Sequence, residues 1–102
     1  MLNTKQKLIN EMLKEVTEKE KEIENSNEEV RILKVRIKIE NKALEMKDLK
    51  EDLREDFVYG AEALKSMLTM EENRNFELKR ELEVLKYRKA VIESQFTDSE
   101  LD

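Results

Sequence analysis

The side chains that could do chemistry in this chain are almost all carboxylates and amines. Its 102 residues include 25 Asp and Glu and 20 Lys and Arg, but no histidine, no cysteine and one glycine. This excludes Ser-His-Asp and Cys-His nucleophile systems, an ordinary zinc site and a glycine-rich phosphate loop. Carboxylates on a charged helix surface stay solvated and are not tuned for acid–base catalysis. We therefore expect a protein that is not an enzyme and that uses no metal or cofactor.

The composition also restricts the elements that carry these groups. Charged residues make up 44% of the chain, proline is absent and the formal net charge is −5. Chains reverse direction mainly at Gly and Pro, so this composition is typical of long helices and coiled coils. No apolar run approaches the ~18 residues that a membrane span needs, and no signal peptide begins the chain. We predict an all-α, intracellular protein of elongated helices that form a coiled coil, with no membrane contact.

The first half of the chain has a heptad repeat with one strong position and one weak position. The a positions are all apolar, and they are Leu2, Ile9, Val16, Ile23, Val30, Ile37 and Leu44. The d positions are mostly polar, and they are Lys5, Met12, Lys19, Ser26, Leu33, Glu40 and Lys47. A parallel homodimer would place the d-position lysines opposite themselves, which is unfavourable. The pattern favours a different helical chain as the partner, in a hetero-oligomeric coiled coil, with a homodimer as the alternative.

The second half follows a different heptad frame with a better-filled seam. Its d positions are Phe57, Leu64, Glu71, Leu78, Leu85 and Ile92, and its a positions are Ala61, Leu68, Asn75, Leu82, Lys89 and Phe96. A polar Asn at an a position fixes register at some cost in stability. The predicted partner-contact residues of the two frames are Ile9, Val16, Ile23, Val30, Ile37, Leu44, Leu64, Leu68, Asn75, Leu78, Leu82, Leu85 and Ile92.

The two frames do not join, and this predicts a discontinuity. Leu44 and Ala61 are two heptads plus three residues apart, an offset that overwinds or breaks a supercoil. Gly60 lies in that interval, either as a tolerated residue or as a bend or close helix approach. A second candidate is Asn25-Ser26-Asn27, where Ser26 and Glu29 match a capping box. We predict a break near 25–27 or 57–61, coiled-coil segments over 1–53 and 54–96, and a disordered acidic tail over 97–102.

A surplus of aliphatic residues lies between the two frames. A second apolar stripe is displaced from the first seam and comprises Ile32, Val35, Ile39, Met46, Leu49 and Leu53. It indicates either a third or fourth helix packing here or a frame transition with exposed aliphatics. Residues 33–40 also alternate like an amphipathic strand, but no turn residues bound them, and helix is favoured.

The charges are segmented along the chain. Residues 11–29 contain eight acidic and three basic residues, and residues 31–42 contain five basic and one acidic. Such blocks are either solvated faces or complements to a partner. The basic cluster is interleaved with aliphatic and not aromatic residues, which disfavours direct nucleic-acid binding. Three rivals remain: a self-associating cytoskeletal or centrosomal rod, a nucleic-acid-contacting helix, and a bundle that folds back at Asn25–Asn27 or Gly60.

Several segments, read in order, resemble the coiled-coil region of the centromere protein H family. They are Thr4-Lys5-Gln6 with Leu8, Ile23-Glu24, Lys34-Val35 with Ile39 and Ala43-Leu44, and Phe76, Leu78, Leu82 and Leu85 before Lys86-Tyr87-Arg88-Lys89. The resemblance implies a nuclear, inner-kinetochore subunit of the constitutive centromere-associated network. It also implies pairing with centromere protein K and association with centromere proteins I and M. The chain departs from the family in having no counterpart to the region beyond the coil.

Overall fold

The computed structural model describes residues 2–101, and all the regular structure in that range is helical. Helix α1 spans Thr4–Glu45 and helix α2 spans Arg54–Gln95, each 42 residues long. Short 3-10 helices cover Glu51–Leu53 and Asp98–Glu100. No strand occurs in the described range, and the alternating segment 33–40 lies inside α1. The all-α prediction is confirmed.

The described residues divide into two compact units, in each of which a part of α1 packs antiparallel to a part of α2. Unit 1 comprises Met1–Glu24 and Phe76–Asp102, and unit 2 comprises Asn25–Asn75. The buried apolar side chains of unit 1 are Val16, Ile23 and Leu78, and those of unit 2 are Leu33, Ala61 and Leu64. All six occupy a or d positions of the two predicted heptad frames. Within each unit, the frames therefore describe the two sides of an intrachain seam.

Helix α1 begins at a side-chain cap. The Asn3 carboxamide oxygen accepts a hydrogen bond from the Gln6 backbone N–H at 2.9 Å, which satisfies one of the free donors of the first turn. Within residues 2–101, neither helix contains a stretch long and apolar enough to cross a membrane.

In unit 2 the chain reverses between α1 and α2 without glycine or proline. The backbone N–H of Met46 donates to the carbonyl of Ala43, and that of Leu49 donates to the carbonyl of Met46. Lys50 is extended, with φ −65° and ψ 133°, and this residue takes the chain out of helical geometry. No described non-glycine residue has a positive φ, so ordinary side chains suffice. The discontinuity lies inside the predicted interval between Leu44 and Ala61, but at residues 46–53.

The predicted break at Asn25–Asn27 does not occur, because α1 runs through these residues. Ser26 is 1% exposed, and its hydroxyl accepts a hydrogen bond from the Asn75 carboxamide nitrogen at 3.1 Å. The same nitrogen donates to the Asn27 carboxamide oxygen at 2.8 Å. The side chain that resembled a helix cap is instead used in a polar contact across the seam of unit 2.

The predicted break at 57–61 is also absent, because these residues lie inside α2. Gly60 provides a close approach and not a bend. A Cβ atom at this position would lie 3.2 Å from the Cδ and Oε2 atoms of Glu40 on α1. The missing side chain therefore makes room for a carboxylate at the seam.

The segment 97–102, predicted to be a disordered acidic tail, contains the 3-10 helix Asp98–Glu100. Thr97 caps it: its hydroxyl contacts the Glu100 carboxylate at 3.0 Å, and its backbone N–H donates to that carboxylate at 3.3 Å. The Glu100 backbone N–H donates back to the Thr97 carbonyl at 3.2 Å, and the two residues together form a capping-box arrangement.

Replacing Asn75 with Ala is expected to destabilise the chain by about 1–3 kcal/mol, because the buried Ser26 hydroxyl loses its partner. The double variant Ser26→Ala/Asn75→Leu, which removes both polar groups, is expected to recover most of that loss. Urea denaturation followed by circular dichroism measures both effects. Equal midpoints for wild type and Asn75→Ala would contradict the role given to this contact.

Replacing Gly60 with Ala has two opposing effects on stability, a higher helix propensity and a steric contact with Glu40. The alanine favours the helix by about 1 kcal/mol, but the Glu40 carboxylate must move. We expect a smaller gain in the wild-type background than in a Glu40→Ala background, where the full increment appears. The two increments are compared by denaturant unfolding, and identical increments would show that Glu40 does not restrict this position.

Candidate protein-binding surface

The thirteen predicted contact residues all lie on the intrachain seams. Those in unit 1 are Ile9, Val16, Ile23, Leu78, Leu82, Leu85 and Ile92, and those in unit 2 are Val30, Ile37, Leu44, Leu64, Leu68 and Asn75. None is exposed, and five of them are buried. Because a single chain is present, this burial comes from the chain itself. Any partner that used these side chains would have to displace one of the two packed helices.

In unit 1, two of the polar residues that weaken the first frame have partners on α2 or just beyond its end. In unit 1 the Lys5 ammonium donates to the carbonyl of Phe96 at 2.7 Å, just beyond the end of α2, where backbone carbonyls have no intrahelical partner. Lys19 donates to the Glu81 carboxylate, also at 2.7 Å. Among the described residues, no buried side-chain nitrogen or oxygen lacks a hydrogen-bond partner. The buried polar positions of the seams are therefore satisfied within the chain.

The second apolar stripe remains accessible. On α1 of unit 2, Ile32, Val35 and Ile39 recur at i, i+3 and i+7 on the side away from the seam, and Met46 follows the last residue of the helix. Their exposed fractions are 39, 45, 60 and 57%. We call these four residues the outer stripe. Leu49 and Leu53, predicted to continue it, lie in the connection and in the 3-10 helix, because α1 ends at Glu45.

A shallow groove of about 630 Å³ runs along the outer stripe. Its lining residues are Val35, Lys38, Ile39, Lys42, Ala43, Glu45 and Met46. A helix that packs on one neighbour needs one apolar face, so a second apolar row with a groove along it indicates a further contact. The outer stripe is the candidate binding surface of unit 2.

Cations surround this surface. We call Arg31, Arg36, Lys38 and Lys42 the basic border, since helical geometry places them beside the outer stripe, and all four are exposed. The one acidic residue of segment 31–42, Glu40, lies on the seam against Gly60. The outer side of this part of α1 is therefore cationic as well as apolar.

Two of the border cations have ion-pair partners on α1. Lys42 lies 3.2 Å from the Glu45 carboxylate. Arg31 donates through Nε to Glu28 at 3.0 Å and through a terminal nitrogen to the other oxygen of the same carboxylate. The hydrogen bonds from Arg31 hold the pKa of Glu28 below its ordinary value; desolvation opposes this shift, and the Arg31 charge adds to it. The same hydrogen bonds raise the pKa of Arg31 as well.

Unit 1 carries two other grooves. One, of about 460 Å³, is lined by Glu15, Glu18, Lys19, Glu22, Glu77, Arg80, Glu81, Val84, Leu85 and Arg88. The other, of about 470 Å³, is lined by Met12, Val84, Tyr87, Arg88, Val91 and Ile92. In the described part of the chain, no group of three or more acidic side chains is arranged to hold a metal ion. The carboxylates of the first groove are interspersed with cations along the two helices.

Comparisons of the chain with protein-family models, with curated proteins and with solved structures gave no match.

The Arg31–Glu28 pair predicts a measurable titration difference. The pKa of Glu28 is lower in the folded chain than in the unfolded chain. The pair therefore contributes its full stabilisation when the pH is above the ordinary glutamate pKa. This stabilisation is lost as the pH falls through the lowered pKa. Replacing Arg31 with Gln is expected to raise the pKa of Glu28 toward its ordinary value, as read from carboxyl carbon chemical shifts. Lys34→Gln, which removes a cation that does not contact Glu28, is the control. An unchanged Glu28 pKa in Arg31→Gln would contradict the assignment.

Proposed function

We propose that this protein is a non-catalytic scaffold that binds another helical chain through the outer stripe of unit 2. The observation that carries the proposal is the exposure of Ile32, Val35, Ile39 and Met46 on a chain whose buried polar groups in the described range all have partners within the chain. Contiguous exposed apolar rows commonly mark sites of protein–protein contact, whereas single exposed apolar residues do not. The absence of histidine and cysteine from the sequence supports a role without catalysis.

The more specific form of the proposal is a nuclear, inner-kinetochore role. It rests on the residues that resemble the centromere protein H family. In that case the partner is centromere protein K, with centromere proteins I and M in the same assembly. The matched residues Leu78, Leu82 and Leu85 lie on the seam of unit 1. Pairing along them requires α1 to leave that seam, whereas docking on the outer stripe does not.

The alternative is a self-associating cytoskeletal or centrosomal protein. Its support is a second set of exposed apolar residues in unit 2, on α2, namely Tyr59, Met67 and Met70. A second copy of the chain would bring such residues against the outer stripe. This alternative predicts a homodimer of the isolated chain at micromolar concentration, whereas the preferred proposal predicts a monomer.

The test compares capture of partners from a cell extract by wild type and by Val35→Asp/Ile39→Asp, read by quantitative mass spectrometry. Leu13→Asp in unit 1 is the matched control, because Leu13 and Val35 are exposed to 46 and 45%. We expect a coiled-coil protein to be captured by wild type and the control and lost from the double variant. Loss from Leu82→Asp/Leu85→Asp with retention by Val35→Asp/Ile39→Asp would move the contact to the seam and contradict the proposal.

Co-expression with centromere protein K decides the kinetochore form separately. A stable complex on size-exclusion chromatography, lost in Val35→Asp/Ile39→Asp, would support it. Elution of the two proteins apart would remove the kinetochore role and leave the general scaffold to the extract experiment.

A further inference from the structure

The outer stripe and the basic border together constrain the chemistry of what binds there, and this inference rests on the proposed function above. From Ile32 to Met46 the stripe follows one side of α1 to its end. At 1.5 Å per residue this distance is about 20 Å, which matches four turns of a second helix. Apolar side chains at i, i+3 and i+7 are complementary to the same spacing on a partner helix.

The charge on this surface is mostly positive, and Glu45, which pairs with Lys42, is the one carboxylate that lines the groove. Segment 31–42 exposes its five cations, and its single carboxylate, on Glu40, is turned to the seam at Gly60. Only Arg31 and Lys42 of these five form ion pairs within the described part of the chain, with Glu28 and Glu45. Lys38 lines the groove with no such partner. A ligand that lies along the stripe therefore meets cations at its edges.

We propose that the occupant is an acidic amphipathic helix of another protein, with apolar residues spaced to match the outer stripe and Glu or Asp beside them. Its apolar side chains fill the groove along Val35, Ile39 and Met46. Its carboxylates approach Lys38 and Lys42 on one side and Arg36 on the other. This charge complementarity selects the partner and its register, while the apolar contacts supply most of the affinity.

A second copy of this chain fits the surface less well. The acidic block of the chain, residues 11–29, has one large exposed apolar residue, Leu13, and so provides no apolar row. The exposed apolar residues of α2 in unit 2 lie within segment 54–70, which has three acidic and two basic residues and is nearly neutral. In unit 1, α2 exposes the row Val84, Tyr87 and Val91, but its segment 76–95 has four acidic and five basic residues. None of the three segments combines an apolar row with a negative edge.

Nucleic acid and lipid surfaces also fit less well. The outer stripe is aliphatic, so bases have no aromatic ring on which to stack. The chain has no tryptophan, and Ile32, Val35 and Ile39 form a narrow row compared with the broad apolar face of helices that lie in membranes.

The inference is tested by selecting from a displayed library of helical peptides against the intact chain. Each peptide has about 18 residues, fixed Leu at i, i+3, i+7, i+10 and i+14, and flanking positions that vary among Glu, Lys and Ser. Wild type is expected to enrich peptides with Glu at the flanks. The charge-reversed variant Lys38→Glu/Lys42→Glu is expected to enrich peptides with Lys at the same positions.

Affinities of the selected acidic peptide are then measured by fluorescence anisotropy. Val35→Asp/Ile39→Asp is expected to weaken binding by at least about tenfold, and Leu13→Asp is expected to leave the affinity unchanged. Lys38→Glu/Lys42→Glu is expected to weaken it about tenfold and to restore binding of the lysine-flanked peptide. Circular dichroism shows whether each variant keeps its helices, and the Leu13→Asp and charge-reversed variants keep the test valid if the double aspartate variant unfolds.

Four results would overturn the inference. Two come from the selection, namely no enrichment of any peptide and enrichment without a charge preference. The other two are a dimer of the chain alone that Val35→Asp/Ile39→Asp dissociates, and stripe-dependent binding to duplex DNA or anionic vesicles in place of the peptide.

Failure of the proposed function is distinguished from failure of this inference. If extract capture depends on Val35 and Ile39 but the selected peptides are neutral or basic, the scaffold stands and the acidic partner is wrong.

Discussion

Each helix has polar residues among the apolar positions of its heptad repeat, and packing in each unit depends on matching them with groups on the other helix. In unit 2, Asn75 donates to both Ser26 and Asn27, and Gly60 leaves room for Glu40. In unit 1, Lys19 meets Glu81. Ser26 and Asn75 are buried, and a buried polar group without a partner costs about 1–3 kcal/mol, so a one-residue shift of one helix against the other would be penalised at that contact in unit 2. Apolar packing by Leu33 and Leu64 favours contact, and the polar matches select the register.

The sequence determined much of this arrangement in advance, because a heptad repeat reports directly which side of a helix is buried. The thirteen predicted contact residues from Ile9 to Ile92 are all buried or half-buried. The position at which the chain reverses was not predictable in the same way, because residues 46–50 contain no glycine or proline and no positive φ. Ser26 was ambiguous for a related reason. A serine that caps a helix and a serine that accepts a bond across a seam have the same sequence neighbours.

The candidate surface was visible in the sequence as an excess of aliphatic residues, but the sequence did not determine its extent. The stripe was predicted to reach Leu53, whereas α1 ends at Glu45. Its charge also required the structure, because the sequence gives Glu40 as one acid among five bases, and only packing against Gly60 shows that it is turned away. The identity of the partner and the cellular location depend also on the surface of another molecule. The heptad pattern of this chain contains no information about that surface.

The connection at residues 46–53 has a consequence for how the protein responds to dilution. Because both sides of the seam in unit 2 belong to one chain, their association is intramolecular, with an effective concentration fixed by a short linker. A two-chain coiled coil loses its partner as the protein becomes scarce, but this pairing does not. The helix that displays the outer stripe is consequently formed and supported at any abundance of the protein. In the proposed complex, occupancy of the stripe is set by the ligand concentration relative to its Kd and not by pairing between copies of this chain.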